Sequence, residues 1–177
     1  MLRNLTFTLY LLLAGPAALA SSTYQTPEEF LNAAFSGQLP EPALIWLTGE
    51  RRNIVEQILG HRYPTLRVRY WQAGPRSAWI LDEVGKDLPI TVGVIVNDAR
   101  IEAIKVLVFR ESRGWEIRHP FFTDQFKAAQ LNGERELDRH IDGISGATLS
   151  VRAMKKLARL ALYLDAASRE QDVAPSP

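Results

Sequence analysis

Between residues 66 and 110 apolar and polar positions alternate with a period of two, and turn residues break the alternation three times. Leu66, Val68 and Tyr70 fall on one face of a half-exposed strand, with Arg67, Arg69 and Trp71 on the other. Gly74-Pro75 turns the chain into a second run, Ser77–Val84, and Gly85-Lys86-Asp87 turns it again. Pro89–Val96 and Ile101–Arg110 are β-branched runs flanking Asn97-Asp98, the clearest hairpin signal in the chain. Both faces of these two runs are mostly apolar, which predicts a sheet covered on two sides. The minimum consistent with the pattern is four antiparallel strands.

On either side of this stretch the period becomes helical. Thr26-Pro27-Glu28-Glu29 predicts a helix start, with Thr26 as N-cap, Pro27 at the first position and Glu29 closing a capping box. Phe30, Leu31, Ala34 and Phe35 continue at helical spacing until Gly37 and Pro40. Pro42–Gly60 predicts a longer helix or a helix pair, with Gly60 as C-cap. Glu111–His119 is a loop too polar for the core, and Pro120–Phe126 starts a short helix that Asn132-Gly133 ends. From Leu149 to Leu164, Val151, Met154, Leu157, Ala158, Ala161 and Leu164 share one face, while Arg152, Lys155, Lys156 and Arg159 lie mainly elsewhere. Asp165–Pro177 is small, polar and proline-ended, which predicts a flexible tail. Strands grouped between helices predict an α+β fold, one domain with an antiparallel sheet of at least four strands covered by helices. The expected divisions are a leader at 1–20, an N-terminal helical region at 21–64, the sheet-containing domain at 65–164 and the tail at 165–177.

Composition changes this picture in three ways. Met1–Ala20 reads as a secretory signal peptide: Arg3 supplies the positive end, Leu5–Leu13 the apolar run, and Ala18-Leu19-Ala20 the cleavage site. No later stretch is long and apolar enough to span a membrane. Cleavage after Ala20 makes the mature chain exported, and periplasmic is the expected location. There are no cysteines, which excludes thiolate zinc sites, iron–sulfur clusters and attached c-type haem. The formal net charge is +1 and no basic stripe is visible in the sequence, so nucleic acid is not an expected partner.

The candidate chemistry lies in Asp142-Gly143-Ile144-Ser145-Gly146-Ala147-Thr148-Leu149-Ser150, small and hydroxyl-bearing residues running into the last helix. Such a turn leaves bare backbone N–H groups at a helix N-terminus, where the macrodipole favours an anion. Gly146 and Ala147 remove bulk, and Thr148 offers a hydroxyl beside the nest. Asp142-x-x-Ser145-Gly146-Ala147-Thr148 resembles the flavinylation motif of the FMN-binding domain family, found in Rnf-type and Na⁺-translocating quinone reductase complexes. The resemblance implies FMN attached by a phosphoester to Thr148, installed from FAD by a periplasmic, Mg²⁺-dependent flavin transferase. It also implies that Asp142 serves the attachment or orders the loop.

A second segment, Glu111-Ser112-Arg113-Gly114-Trp115-Glu116, is similar to the family's Glu-Thr-x-Gly-x-Gly loop. Glu111 and Gly114 match, Ser112 replaces Thr, and Glu116 departs from the last Gly. The resemblance covers Leu88 to Leu164 and implies that Glu111, Gly114 and Trp115 contact the cofactor together with Ser145, Gly146 and Ala147, with Trp115 the candidate for stacking on the ring. Trp79 and Trp71 are the aromatics behind it. Arg110 and Arg113 are suited to phosphate oxygens, but the favoured reading of both is a solvated loop charge. No catalytic acid, base or metal set is recognisable: the histidines lack metal-ligand spacing, and neither a G-x-S-x-G elbow nor a P-loop is present. The expected function is a periplasmic electron-transfer flavoprotein exchanging electrons with a membrane redox protein, rather than a self-sufficient enzyme. The alternatives are a non-covalent flavin-binding sensor or assembly module, and a small flavin-dependent reductase.

Overall fold

A computed structural model describes residues 21–173, so the expected leader and the last four residues lie outside the described residues. At the centre is the expected hairpin. Strands β5 (Pro89–Asn97) and β6 (Arg100–Phe109) join through Asp98 and Ala99, both left-handed with φ of 49° and 59°. A two-residue loop of that hand suits the natural twist of a strand pair. Strand β4 (Arg76–Val84) pairs with β5 from Arg76↔Asn97 to Val84↔Pro89, and β3 (Arg67–Ala73) pairs with β4.

Two more strands come from the N-terminal region, where only helices were expected. Strand β1 (Ser22–Thr23) lies on the outer edge of β6, and β2 (Ala43–Trp46) on the outer edge of β3. The result is a six-stranded antiparallel sheet in the order β1-β6-β5-β4-β3-β2, within a single α+β domain. Residues 43–46 are therefore extended, not the start of a long helix. Their alternation is that of a strand: Ile45 is fully buried while Leu44 and Trp46 are exposed. It spans only four residues, too short to stand out beside the helix that follows.

The helices cover the sheet unequally. Helix α1 (Pro27–Ala34) has the expected capping box: the Glu29 N–H donates to Thr26 Oγ1 at 3.1 Å and the Thr26 N–H to the Glu29 carboxylate at 2.8 Å. It lays Phe30 over Gly93 of β5, where any Cβ would meet the ring at 2.6 Å. Phe30, Leu31, Ala34 and Phe35 pack with Ala78, Ile95 and Leu107 on that face. The opposite face carries the main core. Helices α2 (Gly49–Leu59), α3 (Pro120–Thr123) and α4 (Thr148–Val173) pack Val55, Leu59, Phe122, Met154, Leu157 and Leu164 against Leu81, Val92, Val94 and Ile104. Gly60 ends α2 with φ of 75°, as its C-cap role requires. The short helix at 120 gives way to a 3₁₀ turn and ends at Phe126, before the expected stop at Asn132-Gly133.

Helix α4 does not end at Leu164. It continues through the expected tail to Val173, because Asp165 and Ser168 are fully buried and Ala167 nearly so. Ser77 Oγ donates to Asp165 Oδ1 at 2.6 Å, Trp79 Nε1 donates to Ser77 Oγ at 2.8 Å, and Arg169 Nη2 reaches Oδ1 at 2.9 Å. A polar residue paired in the core reads as tail in a hydropathy pattern, although it anchors the helix.

Candidate functional site

The site is built where the end of β6 meets the start of α4. The four residues Ile144–Ala147 close a turn, with the Ala147 N–H donating to the Ile144 carbonyl at 3.0 Å. Gly146 stands at its third position with φ of 82°, a conformation that costs glycine little and other residues much. The turn delivers Thr148 as the first residue of a 26-residue helix. First-turn N–H groups have no intrahelical acceptor, and the helix dipole adds positive character there. The Thr148 side chain is exposed, with no hydrogen-bond partner among the described residues.

Opposite lies the loop after β6. One oxygen of Glu111 accepts three successive backbone N–H groups, from Lys86 at 2.5 Å, Asp87 at 2.7 Å and Leu88 at 2.9 Å. Desolvation pushes this carboxyl up, but the Leu88, Asp87 and Lys86 N–H groups and the Lys86 charge outweigh it, so its pKa lies below the ordinary value. Glu111 thereby binds the β4–β5 turn to the end of β6. Arg110 reinforces the same junction through the Pro89 carbonyl at 3.0 Å and Thr91 Oγ1 at 2.9 Å. Gly114, with φ of 88°, brings the loop against α4: a Cβ there would lie 2.6 Å from Ser150 Oγ.

These elements enclose a cavity of about 530 Å³, walled by Lys86, Glu111, Ser112 and Arg113 on one side and residues 146–150 on the other. That volume lies in the range of small-molecule and cofactor pockets, roughly 300–1,000 Å³. Of the residues expected from sequence, Glu111, Gly146, Ala147 and Thr148 line it, and Gly114 supports it from behind. Trp115 is next in chain but stands outside the wall, 44% exposed, its ring against His119 at 5.5 Å and Arg118 at 5.2 Å. Ser145 and Asp142 also lie outside the wall. The Asp142 N–H donates to Gln125 Oε1 at 2.7 Å, and its exposed carboxylate lies 3.5 Å from His140 Nε2. Trp79 is a core residue, fully buried and stacked on Tyr70 at 4.8 Å. Lys86 was missed as a wall residue. In sequence it is one letter of a turn, and only the pairing of β4, β5 and β6 carries it to Thr148.

The donor set suits a phosphate-bearing cofactor. The start of α4, where N–H groups have no intrahelical acceptor, the cations Lys86 and Arg113, and Gly146, which carries no side chain, all line one cavity. Residues 85–163 match the family model of the FMN-binding domain. The chain carries an FMN-binding domain. It is accordingly a flavin-binding protein, with FMN as the cofactor. The FMN-binding domain opens at Gly85, in the turn that Glu111 holds, and closes at Tyr163 within α4. Strands β5 and β6 are inside the matched span; the strands and helices before Gly85 complete its sheet and cover its two faces. Comparison with curated proteins and with solved structures returned no match.

Proposed function

We propose that this protein is an exported, periplasmic electron carrier whose FMN is joined to Thr148 by a phosphoester bond. The observation that carries the reading is the position of the Thr148 hydroxyl: unpartnered, first in α4, and in one cavity wall with Lys86 and Arg113 opposite. A phosphate there would meet the N–H groups of the helix start and two cations. In attachment, Thr148 Oγ attacks the flavin-side phosphorus of FAD. The Oγ–P bond forms as the pyrophosphate bond breaks, AMP leaves, and the hydroxyl proton passes to a base of the flavin transferase. FMN supplies the redox chemistry, accepting and donating electrons; the protein tethers it and sets its surroundings. Glu111 acts by holding Lys86 and the β4–β5 turn against the cavity. The expected partners are the transferase and a membrane redox protein that donates or accepts electrons.

Intact mass after co-expression with a flavin transferase tests the attachment. Wild type should gain FMN less one water, Thr148→Ser should keep the gain, and Thr148→Ala should lose it. An unmodified wild type would sink the covalent reading, as would a modification that survives Thr148→Ala. After denaturation and precipitation, flavin left in the supernatant instead of the pellet would mark a non-covalent flavin-binding module.

A further inference from the structure

Arg152, Lys155, Lys156 and Arg159 recur at i, i+3, i+4 and i+7 of α4, which places four like charges on one helix face. Such neighbours repel one another, so this basic stripe, not recognised as one in the sequence, is unfavourable for the helix alone. Arg152 is exposed, and the other three are partly buried. All four side chains line one cavity of about 350 Å³, and the segment after residue 135 adds Arg139 and His140 to the same lining. Ile58 of α2 and Ile141, both buried, give it apolar surface. Five permanent cations thus face a space in which Glu136 supplies the one lining carboxylate.

Three of these cations are already held in place. Arg139 donates to the carbonyls of Lys127 at 2.7 Å and Ala128 at 3.0 Å. Lys156 reaches buried Glu83 at 2.8 Å, and Arg159 pairs with Glu136 at 2.7 Å. Arg152 and Lys155 have no carboxylate partner among the described residues. A cavity with three cations held by other partners, two without a carboxylate partner and some apolar lining matches a small anion better than it matches bulk water. It shares no lining residue with the cavity at Thr148.

We propose that this second cavity binds a small phosphate-bearing polyanion, with Arg152 and Lys155 as its principal charge partners. The site is independent of the flavin: it stands whether or not Thr148 is modified. Inorganic pyrophosphate is the probe, titrated by calorimetry into the full exported chain at about 0.15 M salt, where loose surface charge is largely screened. One saturable site that depends on Arg152 and Lys155 is expected, whatever the cavity at Thr148 binds. Arg152→Ala/Lys155→Ala should weaken it by roughly tenfold or more, the usual scale for losing charge-assisted hydrogen bonds. The pair Arg152→Gln/Lys155→Gln repeats the measurement if the alanine variant fails to fold. Thr148→Ala and Lys86→Ala should leave the affinity of that site unchanged. Absence of saturation at that salt overturns the proposal, as does an affinity indifferent to the double substitution. Loss in Lys86→Ala instead would place the anion in the flavin cavity and equally overturn it. Binding of an oligoglutamate peptide without binding of pyrophosphate would make this a protein-docking surface, again against the proposal.

Discussion

Two residues decide whether the cavity beside Thr148 keeps its shape. Gly114 combines a positive φ with a close approach, since a Cβ would lie 2.6 Å from Ser150 Oγ. Gly114→Ala should therefore cost about 1–3 kcal/mol, read as a shift of the urea midpoint. Adding Ser150→Ala should recover only part of that loss, because the backbone strain remains. Full recovery would show that the contact alone matters. Glu111 holds the facing turn, and its folded pKa is lowered, so its contribution is present above the ordinary carboxylate value of 4.5 and is lost as pH falls through the lowered one. The stability gap between wild type and Glu111→Gln should be present at neutral pH and close in acid. A gap of constant size across the acid range would contradict this role. In sequence both residues were legible as members of a motif, whereas their partners, Ser150 and the N–H groups of residues 86–88, were not.

At the level of elements, the end of α4 departs most from expectation. Asp165 is fully buried between Ser77 of β4 and Arg169. Removing a buried charge from its partners leaves polar groups without compensation, and breaking such pairs costs about 3–5 kcal/mol. Arg169 is partly solvated, so Asp165→Ala should cost nearer the lower figure, about 3 kcal/mol. Truncation after Leu164 should cost more still, since it also removes the buried Ala167 and Ser168. Both are measurable by chemical denaturation; a truncated chain as stable as wild type would restore the tail reading. The helix starts of α1 and α4 were legible because caps, prolines and small-residue turns act locally. Strand β1 was not, because two residues, Ser22 and Thr23, become a strand only by lying against β6.

Across the whole molecule, one buried carboxylate links three layers. Glu83 of β4, 4% exposed, meets His61 Nε2 at 2.8 Å just beyond α2, and Lys156 of α4 also at 2.8 Å. The Arg62 carbonyl and then Glu83 raise the pKa of His61, against desolvation and the Lys156 charge. A raised folded pKa means that the stabilisation is complete below the ordinary 6.5 and is lost as pH rises through the folded value. Wild type should lose stability across that interval, whereas His61→Gln should not. Equal slopes in thermal unfolding of the two proteins would remove His61 from the linkage. Glu83, His61 and Lys156 lie far apart in sequence, and no local pattern announces their meeting.

What the sequence by itself determined is local: the central hairpin, the capping box at Thr26, the α+β class and the motif ending at Thr148. Each rests on periodicity, turn chemistry or a contiguous run of residues, and short-range forces act at that distance. Tertiary structure decided which polar residues are buried, where the sheet ends, and what faces Thr148. Those outcomes depend on chain segments that meet only after the sheet closes: Lys86 across the cavity from Thr148, Asp165 beneath Ser77, and β2 beside β3. The position of the hydroxyl was legible; the wall around it came from packing.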